Sequence, residues 1–146
     1  MRSETVSLSR INSFWKSIYF VEMILLYFLV AIRLRRYSLK KAVDLCTKLR
    51  PLTSLPNGLS TDEFVFFTRD LARSVIRWHL LSPSCIPDSL LVCWFLARRG
   101  IKAEFVIIVR NFPFMAHAQA FWNDALLTDP PPDWTIPGKF TTLMRK

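Results

Sequence analysis

The chain has 146 residues, of which 51% are hydrophobic, 14% aromatic and 21% charged, which excludes a disordered polypeptide and suits one globular domain. Lys and Arg outnumber Asp and Glu 20 to 11, a formal net charge of +9, and most of that excess lies in residues 1–50, with ten basic side chains against three acidic. Those basic residues flank an apolar segment and accompany no recognition motif, so nucleic acid is not expected as a partner.

Cys46, Cys85 and Cys93 form no Cys-x-x-Cys pair, and an odd number argues against a disulfide framework. A reducing, cytoplasmic compartment fits best. His79 and His117 are the two histidines, and neither has a second ligand at zinc-finger spacing, so neither a metal nor another cofactor is implied.

In chain order, residues 18–32 are apolar except for Glu22 and are followed by Arg33, Arg35 and Arg36. No small-residue cleavage site follows, so the run is not a typical signal peptide. At fifteen residues it falls short of the roughly 20 a spanning helix needs, unless Phe14 and Trp15 are included. It reads as a buried helix, or as a helix on a membrane surface with its arginines on anionic headgroups. Leu39, Ala42, Val43, Cys46 and Leu49 then recur at helical spacing, predicting a helix from about Ser38 to Leu49, and residues 51–59 read as a loop.

Ser60 and Glu63 have capping-box spacing and open a third helix, Thr61 to Leu81. His79, in its last turn, reads as a partner of the helix dipole. A fourth helix spans 85–99. Pro87 lacks a backbone donor and is tolerated only in the first turn, which places Cys85 at the helix start. The dipole and free N–H groups there favour the thiolate and can hold a developing oxyanion. Cys93, two turns on, reads as a small core residue. Residues 103–110 are too β-branched to prefer helix and predict a strand, Met115 to Trp122 a second, and Ala125 to Asp129 a third, with the prolines at 130–132 ending the sheet. The layout is α+β: an N-terminal hydrophobic and basic helical region over 1–59, then a core over 60–146, in one compact unit.

Nucleophilic catalysis needs a thiolate, a base that accepts and returns its proton, and a group that orients the base. Cys85, His117 and Asp129 can fill those roles in that order. Any chain with Cys, His and Asp offers such a trio, and a solitary strand histidine is more often structural; the surrounding residues carry more weight. With Cys85 opening a helix, LARRGIKAEFVIIVR at 96–110, Ala116-His117-Ala118 in a strand and Asp129 before a proline-rich turn, the chain resembles the transglutaminase-like cysteine peptidases of lasso-peptide biosynthesis. Ile86-Pro87-Asp88 stands where that family often has Leu followed by a polar or basic residue, and Gln119 replaces a usual aromatic.

The resemblance implies a papain-like core and removal of the leader from a ribosomally made lasso precursor peptide. Cys85 would be the nucleophile, His117 the base and then the acid, and Asp129 the orienter. It also implies, for a short stand-alone member, a separate leader-recognition protein and an asparagine-synthetase-like cyclase as partners, with contact to a membrane surface as a further partner for the basic front third. A transglutaminase-like acyltransferase and a non-catalytic membrane-associated adaptor are the alternatives.

Strand alternation adds one geometric expectation. A two-residue Asn123-Asp124 loop would pair Asp129 with Ala118 and turn its carboxylate away from His117. A three-residue loop or a bulge is therefore predicted, with approach from a loop if the strand ends early, and with Asp124 and Asp133 as lesser candidates.

Overall fold

The computed structural model describes residues 11–55, 58–77, 84–111, 114–130 and 141–146. Four helices come first: α1 (Ser13–Arg36), α2 (Leu39–Thr47), α3 (Thr61–Arg77) and α4 (Cys85–Ala97). Four strands follow, β1 (Glu104–Asn111), β2 (Phe114–Trp122), β3 (Ala125–Leu126) and β4 (Thr141–Arg145), all paired antiparallel in the order β3-β2-β1-β4. The α+β expectation holds.

Helix α1 is longer than the apolar run that announces it, at 24 residues. Asn12 extends it backward by accepting a hydrogen bond from the Phe14 N–H at 3.3 Å, and the three arginines in its last turn suit the negative end of the dipole. The capping box on α3 forms as predicted: the Ser60 N–H donates to Glu63 Oε2 at 2.9 Å and the Glu63 N–H donates to Ser60 Oγ at 3.2 Å. The described part of α3 ends at Arg77, and His79 lies outside the described residues.

Helix α4 is the centre of the molecule. Every residue from Ser89 to Ala97 is buried, because α1, α2 and α3 cover it on one side and β1 and β2 on the other. A helix apolar all round belongs in such a place. Phe95 stacks on Phe64 at 6.1 Å between centroids, with Tyr19 edge-on to both. Cys46 and Cys93 are buried in the same core, as read from the sequence.

Glu22, the one interruption in the apolar run, points inward. It receives Arg99 Nη2 at 2.6 Å and Arg98 Nε at 3.1 Å, just past the end of α4. The Arg99 guanidinium also lies 3.9 Å from the Phe95 ring centroid and donates to the Phe95 carbonyl at 3.0 Å. A charge this deep is tolerable because it has a partner, an aromatic face and a carbonyl.

Three expectations about the sheet are corrected. The β2–β3 loop has two residues, not three: Trp122 pairs with Ala125 and Phe121 with Leu126, without a bulge. Asn123 and Asp124 take positive φ, 46° and 62°, and these are the residue types that tolerate the left-handed region a tight hairpin turn requires. β3 also ends at Leu126 instead of Asp129. The sheet does not end at the prolines either: β4 joins the far edge against β1, with a register shift between Ile107 and Ile108.

Candidate active site

Ser84 is the N-cap of α4 and Cys85 its first residue. Pro87 sits in the first turn, where its missing N–H breaks no helical bond. The half-buried Cys85 thiol is pushed below its ordinary value chiefly by a hydrogen bond with the His117 side chain; partial desolvation opposes this, and the Ala118 and Cys85 backbone N–H groups add to the lowering. His117 is pushed up in return, chiefly by Cys85 and also by the Asp129 backbone. Opposite shifts on a touching thiol and imidazole favour thiolate and imidazolium together.

The position of His117 follows from the edge of the sheet. Among the described residues β3 pairs only with Phe121 and Trp122, and no strand lies beside the earlier half of β2 on that side. Residues 127–129 run there instead: the Leu127 N–H donates to the Ala120 carbonyl at 2.9 Å, and the Ala120 N–H donates to Thr128 Oγ1 at 3.1 Å. Asp129 follows, and its main-chain carbonyl oxygen lies 3.2 Å from His117 Nε2. With Nε2 held by that carbonyl, Nδ1 is the ring nitrogen free for the sulfur.

The sequence-predicted trio thus divides. Cys85 and His117 come together, and Asp129 arrives from a loop through its carbonyl. Its carboxylate turns to Arg73 on α3, Oδ1 to Nη2 at 3.1 Å, and is largely exposed. Asp124 occupies the hairpin turn. Asp133 lies outside the described residues.

A cavity of about 290 Å³ opens beside the sulfur, walled by α3, the start of α4, His117 and residues 127–129. Two polar groups in it are not foreseen from the sequence, which marks Ile86-Pro87-Asp88 only as a difference at the helix entrance. Asp88, one turn beyond Cys85, lines the cavity with a buried Oδ1 that has no hydrogen-bond partner among the described residues, and the fully buried Ser89 Oγ has none among them either. Burial, with help from nearby Asp129, pushes the Asp88 carboxyl up to about 6. The i, i+3 spacing of Cys85 and Asp88 on one helix face was the available signal.

A thiol at a helix N-terminus, held below its ordinary value by an imidazole that faces a carbonyl and shares its cavity, is suited to acyl transfer. A family model described as the transglutaminase-like superfamily matches residues 25–145. The chain belongs to that superfamily. No curated protein and no solved structure matched it. The superfamily match takes in the second half of α1 along with every later element, and it points to cysteine-protease or acyltransferase chemistry.

Proposed function

We propose that this transglutaminase-like protein is a cysteine peptidase that removes the leader from a lasso-peptide precursor. The observation that carries the chemistry is that Cys85, at the head of α4, and His117, on β2, line one cavity, where the imidazole holds the thiol below its ordinary pKa. The precursor as substrate rests on the sequence resemblance around Cys85, 96–110, His117 and Asp129.

In this reading the Cys85 thiolate attacks the carbonyl carbon of the scissile bond, and N–H groups at the start of α4 hold the negative charge on oxygen. The C–N bond breaks as His117 protonates the leaving amine, which becomes the new N-terminus. Water then attacks the thioester, gives a proton to His117 and releases the leader as a carboxylic acid. Asp129 orients His117, keeping Nδ1 toward the sulfur. A separate leader-recognition protein would deliver the precursor, and an asparagine-synthetase-like cyclase would use the freed amine.

The test is mass spectrometry of precursor incubated with the protein and the leader-recognition protein. Two fragments whose masses sum to precursor plus one water are expected, with none from Cys85→Ala. An added amine appearing in the leader fragment would replace hydrolysis with acyl transfer. Uncleaved precursor, together with a Cys85 that iodoacetamide alkylates no faster at neutral pH than a free thiol, would leave a non-catalytic adaptor.

A further inference from the structure

We infer that α1 is an in-plane anchor that lays the protein on an anionic lipid surface without crossing it. Its outer face carries Phe14, Ile18, Val21, Leu25, Phe28 and Ile32, spaced alternately four and three residues apart and all at least 38% exposed. Six large apolar side chains in one line along a 24-residue helix form a patch of the kind soluble monomers avoid. No charged residue interrupts the line between Ile18 and Ile32, since Glu22 is turned inward onto Arg98 and Arg99.

Three observations choose the occupant. The first is that the opposite face of α1 is part of the core: Tyr19, Met23, Leu26, Tyr27 and Val30 are buried, and Glu22 is clamped. Crossing a bilayer would strip that face from α4 and carry Glu22 into hydrocarbon, so length alone, enough for a span, does not decide the matter. The second is charge. At 3.6 residues per turn, Arg35 and Arg36 fall within about 60° of the line's axis, both exposed, and the exposed Lys40 and Lys41 follow. An apolar face ending in four exposed cations matches acyl chains beneath anionic headgroups. The third is what flanks the line. The positions where a two-helix seam places its paired charges hold Trp15, Ser17, Ile24, Leu29, Ala31 and Glu22, and Glu22 is already engaged by Arg98 and Arg99, which disfavours a second copy of this chain.

The arrangement leaves the candidate site free. α1 covers α4 on one side, whereas the cavity beside Cys85 is walled by α3, the start of α4, β2 and residues 127–129.

The experiment is flotation of the full chain with vesicles of phosphatidylcholine alone or of phosphatidylcholine with phosphatidylglycerol, followed by alkaline carbonate extraction and sedimentation velocity of the protein without lipid. Binding to the anionic vesicles, release by carbonate, and loss of binding in the double variant Leu25→Glu/Phe28→Glu are expected. Arg35→Glu/Arg36→Glu should weaken binding by roughly tenfold or more. All four changes are on exposed side chains, so unchanged circular dichroism confirms that the fold survives. Cys85→Ala should bind like the parent, which separates this inference from the peptidase reading. Resistance to carbonate would mean a spanning helix, and a dimer abolished by Leu25→Glu/Phe28→Glu would give the face to a second copy; either result, or equal binding to both vesicle types, overturns the inference.

Discussion

The two ends of α4 face opposite demands. Past its C-terminal end, Arg98 and Arg99 meet Glu22 across most of the chain, and Arg99 is enclosed by Phe95, Phe64 and Tyr19. At its N-terminal end, Cys85, Asp88 and Ser89 border an open cavity, and Asp88 Oδ1 and Ser89 Oγ have no hydrogen-bond partner among the described residues. At the first end the buried charges are paired with each other across the fold; at the second the polar atoms border a cavity large enough for a ligand. One central helix thus joins a buried ion cluster at one end to the candidate site at the other.

Substitutions at each end should separate the two functions. Cys85→Ala should lower kcat/KM for precursor cleavage by about a thousandfold or more, with little change in urea midpoint, because the thiol is half-buried and its removal leaves no core void. Glu22→Ala should do the reverse to stability, costing about 3 to 5 kcal/mol by stranding the buried Arg99 charge. Urea unfolding would register that loss. The comparison fails if Cys85→Ala unfolds the protein or if Glu22→Ala leaves the midpoint unmoved.

The same contrast marks what sequence can reveal. Capping, proline placement and periodicity are local rules, and they locate α2, the start of α3 and Cys85 at the head of α4. The Glu22–Arg99 pair joins residues 77 apart, so Glu22 reads from sequence only as a flaw in an apolar run. β4 is likewise defined by its partner β1 across a stretch beginning with prolines. The hairpin error is of another kind: requiring the Asp129 carboxylate to face His117 forced a longer loop, although Asn123-Asp124 suits a two-residue turn by its own chemistry. Local turn preference prevailed, and the chain reached His117 with a carbonyl instead.

Asp88 sharpens the contrast by placing function and stability in opposition at one residue. Its carboxyl is pushed from 3.8 to about 6, which means that the fold disfavours the ionised form. The associated stability is fully present below the unfolded value and is lost as pH rises through about 6. Asp88→Asn should therefore stabilise the protein at pH 7.5, by about 1 to 2 kcal/mol after allowance for solvent screening, and the gain should vanish by pH 4. Urea midpoints at the two pH values measure it. Cleavage should at the same time become several-fold less efficient through a higher KM, because the cavity loses an acceptor for substrate. A variant destabilised at pH 7.5 would mean that Asp88 is paired in the fold.

The smallest effect belongs to the residue that sequence ranks with Cys85 and His117. If the Asp129 carboxylate oriented His117, Asp129→Asn would be expected to cost about ten-thousandfold, as loss of a triad carboxylate can. The contact to Nε2 is made by the Asp129 carbonyl, which every substitution keeps, and the exposed carboxylate is engaged with the half-exposed Arg73. Asp129→Asn should consequently lower kcat/KM by less than about tenfold, and Arg73→Gln should be similarly mild, since exposed ion pairs contribute about 1 kcal/mol at most. The imidazole is then steered by main-chain geometry fixed through Leu127 and Thr128, and the sensitive position becomes the loop: Thr128→Val, which removes the acceptor for the Ala120 N–H, should lower kcat/KM more than Asp129→Asn does. Kinetics of the three single variants rank these effects directly, and a loss near ten-thousandfold in Asp129→Asn would return the carboxylate to His117 in the working enzyme.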